Sequence, residues 1–154
     1  MREAKLQERL MVLLSGRVAE ALYFGEVSTG AVDDLARATD MARRMVTEYG
    51  MSPSLGPVRL AAELTPNYLG VPAGLDARVS PKTAARVDEE TLRIIEEAVK
   101  KTWGLLESHL RTLESLARLL IEQETVDGTE LEAILAQSSS KNGRKMEVAA
   151  AVLE

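Results

Sequence analysis

Cysteine is absent from the 154 residues of this chain. Disulfides, thiolate zinc sites and cysteine nucleophiles are therefore excluded, and a reducing compartment is allowed. There is 1 histidine, His109. A catalytic zinc site usually needs three protein ligands, most often histidines with a carboxylate, so this chain cannot hold a His-Glu-x-x-His motif. Ser/His/Asp catalysis would have to use His109 as well, and no serine stands in a Gly-x-Ser-x-Gly setting. A Gly-x-x-x-x-Gly-Lys-Ser/Thr phosphate loop is also missing. Aromatic residues make up only 3%, so the core must be aliphatic, which suits close helix packing better than a β-sandwich. The net charge is -5, no face is obviously basic and few rings are available for stacking, which argues against nucleic-acid binding. No run of about 18 apolar residues exists to span a membrane. The first segment, "MREAKLQERL", is charged and amphipathic and lacks the apolar stretch of a secretory signal.

What is present reads as one soluble domain with 45% apolar and 28% charged residues. Leu6, Leu10, Leu13, Leu14, Val18, Ala21 and Leu22 recur at helical spacing, predicting a helix from Glu3 to about Phe24 that Gly25 ends. Gly16 inside it costs roughly 1 kcal/mol against Ala and predicts close approach by another backbone. A second helix is expected from Val32 to Tyr49, with Leu35, Ala38, Ala42, Met45, Val46 and Tyr49 as its buried stripe and Gly50 as its stop. Met41 and Met45 read as core filler. Prolines and glycines then break the pattern from Met51 to Val79, where "PVRLAAEL" (Val58 to Ala62) and "NYLGV" are weak strand candidates. Ser80 and Pro81 open a helical stripe of Val87, Thr91, Ile94, Ala98, Thr102, Leu105 and Leu106 that continues to Glu124. A run of about 45 residues is too long for one globular helix, so a break near Ser108-His109 and two antiparallel helices are expected. "TVDGTELEAIL" predicts a turn and a short helix capped by Thr125 or Asp127. The fold class is mainly α, a bundle of about four to six helices with a long non-helical or weakly β segment near residues 51–79. The domain spans residues 1–136. Residues 137–154 form a polar, flexible tail, to which "KMEVAAAVLE" adds at most a marginal helical turn or two.

Asp33 and Asp34 carry the functional question. Acidic residues in a helix's first turn favour the positive end of its dipole by roughly 0.3–1 kcal/mol each. They can equally hold a metal, and the residue pattern alone leaves both readings open. His109 reads as a turn or cap residue. Arg43-Arg44 reads as solvated surface or an interface contact. Glu20, amid apolar neighbours, pairs with Arg17 or a later arginine, or orients a site residue.

The stretch "LLSGRVAEALYFGEVSTGAVDDLARATDMARRMVTEYGMSPSLGPV" resembles the peptidase domain of FtsH, the membrane-anchored AAA-type ATP-dependent zinc metalloprotease family. "PKTAARVDEE" and "LLIEQETVDGTELEAIL" resemble that family's C-terminal helices, so the likeness runs from about Leu6 to Leu135. In the family, two histidines of a His-Glu-x-x-His helix and the Asp of an Asn-Asp pair hold zinc. The resemblance therefore implies that Asp34 is a zinc ligand, with Asp33 in place of the usual Asn and Thr29, Gly30 and Ala31 shaping the turn. The family's His-Glu-x-x-His helix, ATPase module and transmembrane helices lie N-terminal to the matching region. Ser15 and Ala21 depart from its Gly-Gly-Arg and Glu-Glu runs. The resemblance implies a C-terminal portion of an FtsH-like zinc metalloendopeptidase, acting on protein substrates, assembling in homo-oligomeric or hexameric rings and facing the cytoplasm. This portion would be inactive by itself and would hold no zinc tightly. The alternative is a stand-alone, non-enzymatic helical assembly or regulatory module derived from FtsH.

Overall fold

A computed structural model of the chain describes residues 2–61, 75 and 79–136. The chain divides into two compact units, Met1–Trp103 and Gly104–Glu154.

The first unit is built on helix α1 (Glu3–Phe24), a 3₁₀ turn (Thr29–Ala31), helix α2 (Val32–Thr47) and most of helix α3 (Pro81–Ser108). Leu6, Leu10 and Leu14 of α1 pack with Ala38, Ala42, Met45 and Val46 of α2 and Val87, Ile94 and Ala98 of α3 in one aliphatic core. The periodic stripes read from the sequence thus supply most of the core, although Leu105 of the expected α3 stripe is 51% exposed. Gly25 closes α1 in the left-handed conformation (φ 73), and its N–H donates to the Ala21 carbonyl. Ser80 caps α3, its hydroxyl accepting the Thr83 N–H at 3.2 Å, with Pro81 in the first helical position.

Three sequence expectations fail in instructive ways. Tyr49 is 46% exposed because α2 stops at Thr47, so Tyr49 has left the helical period. Its hydroxyl instead takes a hydrogen bond from Arg44. Leu35, 37% exposed, lies ahead of Ala38, where the packed part of α2 begins. Gly16 is exposed, and a Cβ built there would meet nothing within 4 Å among the described residues, so no backbone approaches it. Close approach occurs at Gly50 instead. Its φ of 62 turns the chain back so that the Met51 N–H reaches the Met45 carbonyl, and a Cβ at Gly50 would lie 3.0 Å from Pro57 Cα.

No strand occurs among the described residues. Val58 to Ala61 makes only an isolated antiparallel bridge, Ala61 to Leu75. The Leu60 and Ala61 amides both donate to the Thr47 carbonyl at the end of α2, which removes the donors a ladder would need. The "NYLGV" candidate, like Ala62 and the 137–154 tail, lies outside the described residues.

The loop after α2 is tied down by a carboxylate absent from the predicted stripe. Glu90 of α3 is buried, 8% exposed, and accepts the Ser52 hydroxyl at 2.7 Å. Ser52 Oγ in turn accepts the Leu55 N–H at 3.1 Å, and Arg86 donates to the Ser54 carbonyl. Arg93 grips Glu90 through both Nε and Nη2. Those hydrogen bonds, led by Arg93 and helped by Ser52, hold the Glu90 carboxyl below its ordinary value of 4.5 against the opposing effect of burial.

In the second unit the chain breaks at His109, as expected, and helix α4 runs Leu110–Gln123. His109 stands at the start of α4 with its Nδ1 2.9 Å from the Leu105 carbonyl, a turn residue in the simplest sense. Residues 128–136 form helix α5. Asp127 caps it reciprocally: Asp127 Oδ1 accepts the Glu130 N–H at 2.9 Å and Glu130 Oε2 accepts the Asp127 N–H at 3.1 Å.

Two outcomes test this account. Met45→Ala, at a position 1% exposed, lowers unfolding free energy by about 2–5 kcal/mol in urea denaturation. Because the folded Glu90 pKa is depressed, its contribution is complete above the ordinary 4.5 and is lost as pH falls through the lower folded value. Glu90→Gln therefore lowers stability at pH 7, and the gap to the parent narrows on acidification below 4.5. Parallel denaturation curves at all pH values would refute the assignment.

Candidate functional site

Asp34 lies in the first turn of α2, beside Asp33. Both side chains are exposed, and neither forms an ion pair or hydrogen bond with a described residue. Neither caps the helix by hydrogen bond, since the N-cap position falls to Ala31. The capping side chain belongs to Ser28, one turn earlier, whose Oγ accepts the Gly30 N–H at 3.2 Å and starts the 3₁₀ turn. Thr29, Gly30 and Ala31 therefore form the turn that the sequence places before Asp34, and α2 follows without a gap.

The geometry fixes the backbone of Asp34 from behind and leaves its carboxylate in solvent. Ala38, Ala42, Met45 and Val46 anchor α2 in the core. Ser28 is held by Glu20 of α1, whose two oxygens accept the Ser28 N–H at 3.0 Å and the Ser28 hydroxyl at 2.8 Å. These two bonds, the backbone one first, lower the Glu20 pKa below 4.5, and Arg17 adds a smaller attraction. Glu20 thus pairs principally with the loop rather than with an arginine. Arg43 meets Asp88 of α3 at 3.1 Å, and Arg44 meets Glu48 at 3.1 Å and stacks over the Tyr49 ring. Both arginines have partners within the first unit.

The donor set limits what this arrangement can do. Among the described residues no group of three or more His, Cys, Asp or Glu side chains is placed to hold a metal ion. The residues present fit one corner of a zinc shell, a hard oxygen donor on a fixed helix, and not a whole one. The sequence singles out Asp34 and Glu20 as candidates. Sequence reasoning missed Ser28, although a serine two residues before a glycine at a predicted turn is a recognisable signal.

The chain matches Peptidase family M41 over residues 1–134. It is 43% identical over 130 residues to "ATP-dependent zinc metalloprotease FtsH 1" of Sphaerobacter thermophilus, covering 84% of this chain and 20% of that protein. It is 44% identical over 141 residues to the FtsH of Syntrophobacter fumaroxidans, covering 91% and 22%. To FtsH 3 of a Synechocystis species it is 41% identical over 138 residues, covering 88% and 22%. The chain thus spans about a fifth of the length of the curated relatives it matches. No helix among its described residues is long and apolar enough to cross a membrane. The helical unit that carries Asp34 lies within a match of this extent, and the chain belongs to Peptidase family M41.

Proposed function

We propose that this chain serves as the C-terminal portion of an FtsH-like, ATP-dependent zinc metalloendopeptidase, in which Asp34 is the third zinc ligand. The observation that carries this reading is the exposed Asp34 carboxylate, unpartnered among the described residues, on a helix start held from behind, in a chain of family M41. An exposed carboxylate with no partner among the described residues keeps its lone pairs available for a metal. The relatives' names supply the metal and the reaction class: zinc, proteolysis and ATP dependence. The two remaining ligands and the general base come from a segment bearing a His-Glu-x-x-His helix, where bound zinc would activate water. By itself, the chain lacks that base and those imidazoles and is without peptidase activity. The intact enzyme degrades protein substrates on the cytoplasmic side of a membrane.

The second unit supports an assembly role in the same protein. Ile121 of α4 is 82% exposed, Leu120 42% and Leu135 45%, apolar side chains that a subunit contact would remove from water. This also favours the alternative of a non-enzymatic assembly module, which is separated from the first reading by whether a His-Glu-x-x-His segment restores cleavage.

Zinc-supplemented chain shows no casein turnover, and after purification it retains far less than one zinc per chain by atomic absorption. Turnover that Asp34→Ala abolishes, or a stoichiometric, tightly held ion, overturns the reading. Adding a polypeptide with the His-Glu-x-x-His helix restores cleavage that Asp34→Ala lowers by about 100-fold or more, as loss of a metal ligand should. In sedimentation experiments the parent chain associates with rising concentration, whereas Ile121→Asp remains monomeric. Identical monomers for both remove the assembly role.

A further inference from the structure

We propose that Glu20 and Ser28 are positioning residues for Asp34: the Glu20 carboxylate clamps Ser28, and the clamp sets where the Asp34 side chain stands. This rests on Asp34 being a metal ligand. Both oxygens of Glu20 are spent on one residue, Oε2 on the Ser28 N–H and Oε1 on its hydroxyl proton. A two-point grip fixes Ser28 in orientation as well as in position. The hydroxyl oxygen then accepts the Gly30 N–H, so the three bonds form one connected unit. Beyond Ser28 there is no flexible joint. The Val32 N–H closes on the Thr29 carbonyl, and α2 begins at Val32. Asp34 is therefore carried at the end of a continuous helical path that starts at the clamp. Nothing in front of it among the described residues holds its side chain, so its placement comes wholly from behind. Gly30 belongs to the device: a Cβ there would lie 3.3 Å from Ser28 Oγ and crowd it. Partners that orient a ligand in this way usually change metal affinity when removed, even though they never touch the ion.

The test uses two readouts. In this chain, amide exchange followed by NMR at Gly30 and Asp34 quickens by about threefold or more in Glu20→Ala and in Ser28→Ala, and returns toward the parent rate in Ser28→Thr. The control Glu48→Ala leaves those amides unchanged, and the thermal midpoint stays the same in all four variants. In a chimera with this chain in place of the matched region of the Syntrophobacter fumaroxidans protease, Glu20→Ala raises the zinc Kd by about tenfold or more. Asp34→Ala in the same chimera separates the two ideas. Zinc lost in Asp34→Ala but bound with parental affinity in Glu20→Ala overturns the positioning role and leaves the ligand standing. Zinc retained in Asp34→Ala overturns the ligand itself. Unchanged exchange at Gly30 and Asp34 in both alanine variants overturns the clamp whatever the chimera does.

Discussion

The close approach of α1 and α2 rests on two buried alanines. Ala38 and Ala42 are both 0% exposed, and their small side chains let Leu10 and Leu14 of α1 pack against α2. A larger residue at either place would force the helices apart or into strained rotamers. Everything at the candidate site follows from that packing. With α2 locked along its length and its start tied to α1 through Glu20 and Ser28, the first turn of α2 has little freedom left. The far end is locked as well, since Gly50 reverses the chain and Ser52 is pinned to Glu90. A helix fixed at both ends and along its buried face is a good platform for a group that must meet a metal at a set distance.

Much of this was legible in the sequence because helical periodicity is a direct image of burial. Leu6, Leu10, Leu14 and Val18 were read as one face and are one face. The break at His109 and the cap at Asp127 followed from helix length and from capping chemistry. Periodicity fails where the helix does. Tyr49 sits in register with Met45 on paper, yet α2 has already ended. Gly16 reads as a packing glycine, but nothing distinguishes an exposed glycine from a packed one until the neighbours are known. The strand at Val58 was lost to competition for amides, a tertiary effect invisible in "PVRL". Glu90 sits between Val87 and Ile94 on the α3 stripe, where an acid looks like an interruption. Burial there is tolerated because Arg93 and Ser52 satisfy its oxygens.

The site itself was legible only in part. Residue types and spacing left Asp34 divided between dipole partner and metal ligand, and the family resemblance tipped the balance. In the proposed reading the two roles do not compete. Helix-dipole stabilisation acts through space on a carboxylate that remains hydrated, and it asks for no hydrogen-bond partner. An exposed Asp34 therefore favours the start of α2 through the helix dipole, and that interaction leaves its oxygens hydrated.

Under the proposed role, a well-placed carboxylate would still hold a metal only weakly by itself. A metal ion held by one carboxylate gains one bond and still keeps most of its water, so rigidity at Asp34 yields little affinity alone. The gain from a fixed ligand appears when other ligands arrive, because each donor already in place spares the complex an ordering penalty. If Asp34 is the ligand proposed above, the anchorage of its backbone through the core, the 3₁₀ turn and Ser28 suits a shell completed by further donors.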